Sequence, residues 1–169
     1  MNHKLMSSLF AAGISFGLFA AETNLLKNSG FESADAKGKP AEWVTKGTVA
    51  DGGVSGKALK VTTDVAQGKT YRADIMQNVN SLKPGKYALK GKLKGDFYAV
   101  WLVVQSNVPE GKKHAWLDKA SLKKNGEWME FSMPVELPAG TSSGKVYVQP
   151  FGSKADNVCF LDEIQLISL

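Results

Sequence analysis

From Ala58 onward the chain repeats one kind of patterning: short runs in which apolar and polar residues alternate, broken by Gly, Pro, Asn, Asp and Ser. The runs are Ala58–Thr63, Thr70–Val79, Lys86–Leu93, Phe97–Ser106, Trp128–Val135, Lys145–Phe151 and Val158–Ile167. Branched and aromatic residues recur in them at the two-residue period of a strand. Asp51-Gly52-Gly53, Lys83-Pro84-Gly85, Gly95-Asp96, Asn125-Gly126 and Pro138-Ala139-Gly140 supply the turns between them. No long segment carries a helical period with a cap and a stop, so the expected fold is all-β, an antiparallel sandwich or barrel. The lysine-rich stretch Asn107–Lys124 reads instead as a long loop, a helical turn or flap over one end of the sheet.

Alternation also assigns faces, because neighbours along a strand point oppositely. Tyr98, Val100, Leu102 and Val104 are expected in the core, with Phe97, Ala99, Trp101, Val103 and Gln105 on the other side. Val146 and Val148 point inward and Tyr147, Gln149 and Phe151 outward. Tyr71, Ala73, Ile75, Gln77 and Val79 form an inward set, which turns Arg72, Asp74, Met76 and Asn78 to solvent. Along Lys86–Leu93, Tyr87, Leu89 and Leu93 go in while Lys86, Ala88, Lys90 and Lys92 go out. One sheet thus presents lysines, and the other presents aromatics mixed with amides, an Arg and an Asp.

Composition narrows the chemistry. With 169 residues the chain suits one domain with a real core. The single cysteine removes a disulfide scaffold and a thiolate zinc site. His3 and His114 are the two histidines, too few for a histidine-rich metal centre. The formal charge of +5 is scattered rather than gathered on one face, which excludes a nucleic-acid reader. Residues 1–21 read as a secretory signal: Lys4 precedes an uncharged run from Leu5 to Ala20, which ends in small residues before Glu22-Thr23-Asn24. A single membrane anchor is the alternative reading, weakened by Ser7, Ser8 and Ser15. The expectation is a signal over 1–21, a single domain over 22–169, a secreted or periplasmic location, and no membrane span once the signal is removed.

The mixed face suits a sugar. A pyranose stacks its C–H face on an aromatic ring, and its hydroxyl rim needs planar donor and acceptor pairs. Trp101 and Tyr147 are the candidate stacking groups, with Arg72, Asp74, Asn78, Gln105 and Gln149 as hydrogen-bonding ones. The competing reading buries Trp101 and Tyr147 beneath the 107–124 loop. A second feature is Asp162, a carboxylate in the core-facing register of Val158, Phe160, Ile164 and Leu166. Such a group demands a cation or hydrogen bonds. Glu32, in the turn-rich Asn28-Ser29-Gly30-Phe31-Glu32, is a second acid, and two carboxylates joined by carbonyls describe a hard-cation site suited to Ca²⁺. A surface-turned Asp162 or an ion pair remains open on spacing alone.

The opening Asn24-Leu25-Leu26-Lys27-Asn28-Ser29-Gly30-Phe31-Glu32 with Ala41-Glu42-Trp43, then Ser55-Gly56-Lys57-Ala58-Leu59-Lys60-Val61 and Val79-Asn80-Ser81-Leu82-Lys83-Pro84-Gly85-Lys86-Tyr87, resembles carbohydrate-binding modules of families 4, 9 and 22. Gly126-Glu127-Trp128, Leu137-Pro138-Ala139-Gly140 and Phe160-Leu161-Asp162-Glu163-Ile164-Gln165-Leu166 continue the likeness in order. The resemblance implies a galactose-binding-like jelly roll, with ligand on a concave sheet face and a structural calcium at the joined chain ends. It maps the calcium ligands onto Glu32 and Asp162 and adds the carbonyl of Lys57; Asp162-Glu163 stands where a double Asp is common.

The resulting expectation is a non-catalytic module that binds a poly- or oligosaccharide. A protein-interaction or cell-surface adhesion module, holding a surface protein on the same fold, is the alternative. Asp74, Glu110 and Asp118 offer no spacing that brings two carboxyls together as a glycosidase pair. Trp43 and Trp128 read as core or core-edge residues, Trp116 as a lid or loop anchor, and Cys159 as a small buried hydrophobe.

Overall fold

The computed structural model describes residues 23–120 and 125–169, so the expected signal over 1–21 lies outside the described residues, as do the side chains of Trp116 and Asp118. In chain order the strands are β1 (Val44–Thr45), β2 (Thr48–Asp51), β3 (Lys57–Thr62), β4 (Val65–Gln67), β5 (Thr70–Arg72), β6 (Ile75–Val79), β7 (Gly85–Gly95), β8 (Ala99–Val108), β9 (Gly111–Ala120), β10 (Asn125–Leu137), β11 (Ser143–Gly152) and β12 (Val158–Ser168). They form two antiparallel sheets. In the seven-stranded sheet, β11 is flanked by β5 and β6 on one edge and β8 on the other, with β1, β4 and β9 outside. The five-stranded sheet runs β10-β7-β12-β3-β2. The architecture is a jelly-roll sandwich of the galactose-binding-like type.

Six of the seven alternating runs fall on single strands, Thr70–Val79 divides into β5 and β6 at Ala73-Asp74, and the facing set forms the core. Val100, Leu102 and Val104 of β8 meet Val146 and Val148 of β11, and Leu89, Leu93, Leu161, Ile164 and Leu166 come from the other sheet. Each of these is fully buried, and such burial contributes roughly 1.5–3 kcal/mol per aliphatic side chain. Cys159 is also buried, and desolvation pushes its thiol up to about 12. Trp43 fills the core beside Phe31, 5.3 Å between ring centroids, and donates its indole N–H to the carbonyls of Lys27 and Asn28.

Three expectations need correction. The 107–124 stretch is not a flap: its first part, closed by a turn at Pro109-Glu110, returns as β9, which pairs with β8 from Val108↔Gly111 to Val100↔Ala120. Lys112, Lys113 and His114 are exposed at the edge of the sheet, where cationic residues discourage further strand pairing; their polarity hid the strand. The second correction concerns Tyr98, which is 43% exposed, whereas Phe97 is buried. Pairing with β11 starts at Ala99↔Phe151, so the two-residue period holds only from there on, and Tyr98 is tied by its backbone N–H to the Phe151 carbonyl. The third is in β12, where Val158 and Phe160 are only half-buried and Cys159 and Leu161 fill the core instead. The slip in register between Asp162 and Gln165 shifts the two-residue period within that strand.

The chain ends meet along β12. Asn24 Oδ1 accepts the backbone N–H groups of Leu26 and Leu166, and the Leu25 N–H reaches the Leu166 carbonyl at 2.9 Å. Gln77, inward on β6, accepts the Lys27 N–H at 2.8 Å and donates to the Lys27 carbonyl at 2.9 Å. A buried amide thereby satisfies itself on the N-terminal strap and fastens it to the seven-stranded sheet.

Candidate functional site

The register of β6, β11 and β8 lays the outward residues of the seven-stranded sheet in rows. Asn78, Lys145, Gln105 and His114 form one, Met76, Tyr147 and Val103 the next, and Gln149 faces Trp101 in the third. Arg72, Phe151 and Ala99 form the fourth. Trp101 and Tyr147 therefore emerge on one face of adjacent strands as diagonal neighbours, a relation that sets residues about 7–8 Å apart, within reach of aromatic side chains. Both are half-buried, so neither is sealed beneath a loop.

Asp74 organises the polar part of this face. Its Oδ1 accepts Arg72 Nε at 2.7 Å and Gln149 Nε2 at 2.6 Å, while Arg72 Nη1 donates to Gln67 Oε1 at 2.6 Å. Four side chains from β4, β5, β11 and the β5–β6 bend are thus oriented before any ligand arrives, and charge-assisted bonds of this kind are the strong ones. Beside them, the Trp101 ring lies 4.7 Å from that of Phe151, tilted by 52°. A hollow of about 200 Å³ opens there, lined by Gln67, Thr70, Tyr98, Ala99, Trp101 and Phe151. An apolar wall next to fixed donors and acceptors can hold a small polyhydroxylated ring.

Of the expected hydrogen-bonding residues, Arg72, Asp74 and Gln149 come together, and Asn78 is exposed at the far end of the face. Gln105 is in the expected register but 94% buried, its amide 3.4 Å from Asn107 Oδ1; it belongs to the support of the face rather than its surface. Sequence reasoning missed Gln67, Tyr98 and Phe151. The two-residue period had already turned Phe151 outward opposite Arg72, and that pairing was the available signal.

A second cluster joins the chain ends. Asp162 is 1% exposed, and its two oxygens accept the N–H groups of Val54 and Glu163, each at 2.7 Å. No lysine or arginine bonds it among the described residues. Burial is the main cause that raises its pKa, with repulsion from Glu163 and Glu32 adding to it against the two backbone bonds. Glu32 Oε1 accepts the Lys57 N–H at 3.0 Å. A Cβ on Gly53 would strike the Lys57 carbonyl and lie 2.9 Å from Asp162 Oδ2, and one on Gly56 would strike the Glu32 carboxylate. Glu32, Lys57 and Asp162 therefore surround one glycine-lined loop. Asn28, Phe31 and Glu163, all near it, hold positive φ of 46°, 55° and 51°, conformations that surrounding structure must enforce. No three His, Cys, Asp or Glu side chains gather as a metal site among the described residues, so an ion here would need carbonyl oxygens. A buried carboxylate that no side-chain cation bonds among the described residues, set beside carbonyls, fits a hard divalent cation.

The lysine face of the other sheet is partly neutralised. Lys92 Nζ lies 2.9 Å from Glu163 and 3.8 Å from Glu130, and the hydrogen bond to Glu163 is the chief cause of its raised pKa. Trp128 is half-buried on this side, with Lys94 Nζ 4.6 Å from its ring centroid.

No protein-family profile matches the sequence, and no curated protein does. Solved structures do resemble it. TmCBM61, determined in complex with β-1,4-galactotriose, is 19% identical with a TM-score of 0.60 over 87% of this chain and 99% of its own. The CBM22-1 xylan-binding domain of Xyn10C from Paenibacillus barcinonensis is 16% identical, with a TM-score of 0.61 over 88% and 96%. The enzymatically active domain of tailspike protein 4 from Bacteriophage CBA120 is 9% identical, with a TM-score of 0.63 over 86% of this chain and 21% of its own. The chain has the jelly-roll fold of carbohydrate-binding modules.

Proposed function

We propose that this protein is an exported, non-catalytic carbohydrate-binding module that holds an oligo- or polysaccharide on the outer face of its seven-stranded sheet. One observation carries the reading: the Arg72–Asp74–Gln149 network is fixed beside the half-buried Trp101 ring, which rests on the buried Phe151. The sugar ring stacks on Trp101, with Tyr147 as a second platform, while Arg72, Gln149 and Gln67 meet its hydroxyls. Of two modules of the same fold, one was determined in complex with β-1,4-galactotriose and the other is described as xylan-binding. Asp74 is engaged by Arg72 and Gln149 and serves as an anchor for donors rather than a proton-transfer group.

A structural Ca²⁺ at the joined chain ends belongs to the same reading. Glu32, Asp162 and the Lys57 carbonyl would hold it, and its charge would offset the desolvation of Asp162. Titration calorimetry of wild type and Trp101→Ala against β-1,4-galactotriose and xylohexaose tests the sugar site. Binding that the substitution abolishes supports the reading; a sugar-blind wild type sinks it and favours a protein partner.

A further inference from the structure

The opposite side of the sandwich carries a groove of about 440 Å³ that crosses β10, β7 and β12, within the size range of small-ligand sites. Its floor is the paired backbone of Gly91 and Phe131. One bank is the pair Glu130 and Lys92 with Glu163 held 2.9 Å from Lys92, and the other is the row Ser132, Lys90, Gln165. The rows are two residues apart along the strands, about 6.8 Å. Glu163 and Gln165 both reach the groove because β12 slips register between Asp162 and Gln165, where Glu163 adopts positive φ.

The lining selects its occupant by charge. Two lysines and two glutamates cancel, so an anion meets Glu130 and Glu163, and a cation meets Lys90 and Lys92. A neutral polyol finds a donor or an acceptor at every position, because each hydroxyl can serve as either. The next row along the strands adds apolar surface: Trp128 and Phe160 flank Lys94, whose Nζ lies 4.6 and 5.3 Å from their centroids.

We infer that this groove is a second carbohydrate site, taking a short neutral glycan segment laid across the strands and facing away from Trp101. The two sites stand on different residues, and a molecule carrying both bridges two glycan chains. The test is calorimetry and amide NMR on the full chain with neutral β-linked oligosaccharides, including xylohexaose and β-1,4-galactotriose. About two ligands per chain are expected for wild type and about one for either Trp101→Ala or the groove-filling Ser132→Trp. In Trp101→Ala the Gly91 and Gln165 resonances still shift. Gln165→Ala, a milder change that leaves the melting temperature in place, weakens that remaining site several-fold. One ligand per chain, lost with Trp101→Ala and indifferent to Ser132→Trp and Gln165→Ala, overturns the inference and leaves the Trp101 site standing. Binding lost only with the groove variants does the reverse, and no binding by wild type defeats both.

Discussion

Asp74 and Asp162 are both aspartates at the heart of a cluster, and their surroundings differ in one respect. Asp74, on the open face, has a guanidinium and an amide as partners. Asp162, enclosed where the chain ends meet, has two backbone N–H groups and two carboxylates that repel it. The first is complete in charge and offers its neighbours' remaining donors to a ligand. The second has no bonded cation among the described residues; Lys92, across the strand, is drawn to Glu163 instead. A carboxylate's partners, more than its burial, thus separate a cluster already balanced in charge from one that the proposed cation would balance.

The most forceful way to break this contrast is to withhold the cation. At a calcium concentration about 100-fold above its dissociation constant, binding stabilises a fold by about 2.7 kcal/mol. For a chain of this length that corresponds to a rise of roughly 5–10 °C in melting temperature. Chelator is expected to remove that rise, and Asp162→Asn to abolish the response to calcium; a melt indifferent to both ends the cation reading. On the open face, Trp101→Ala is expected to cost about 2 kcal/mol of sugar affinity, roughly 30-fold, in calorimetry. Asp74→Ala, which frees Arg72 and Gln149 to rotate, should weaken the same binding by about tenfold. An Asp74→Ala variant that binds as wild type would show that the network is ornamental to recognition.

The smallest effect is a pH slope. Asp162 has a folded pKa raised above its unfolded value, so the native state binds the extra proton and that contribution to stability is complete below the ordinary aspartate value of about 3.9. It is lost as pH rises through the raised value. In chelator, wild type should therefore lose melting temperature over that window relative to Asp162→Asn, and saturating calcium should flatten that slope because the ion binds the deprotonated form. Equal slopes for the two proteins in chelator would contradict the assignment.

Much of the scaffold was legible because strand parity is a local rule. Val100, Leu102, Val104, Val146 and Val148 declare their face by spacing alone, and so do Arg72, Asp74, Trp101 and Gln149 opposite them. Strand β9 was not legible, since its exposed lysines and His114 disguise an edge strand as a loop. Tyr98 misled because parity begins only where pairing begins, one residue later. Gln67 reaches the site from a three-residue strand, and the partner that orients it, Arg72, is supplied by the turn between them rather than by any periodicity. Asp162 was readable as a misplaced charge, but the crowding of Gly53 and Gly56 around it is a property of the assembled loop.

The clasp at Asn24 has a kinetic consequence. Its side chain bonds a backbone group 142 residues away, and contacts of such separation form after the chain between them has been ordered. An interaction absent from the folding transition state governs how fast the native protein comes apart, not how fast it forms. Asn24→Ala should accordingly steepen the escape from the native state in stopped-flow unfolding while leaving the refolding limb nearly where it was.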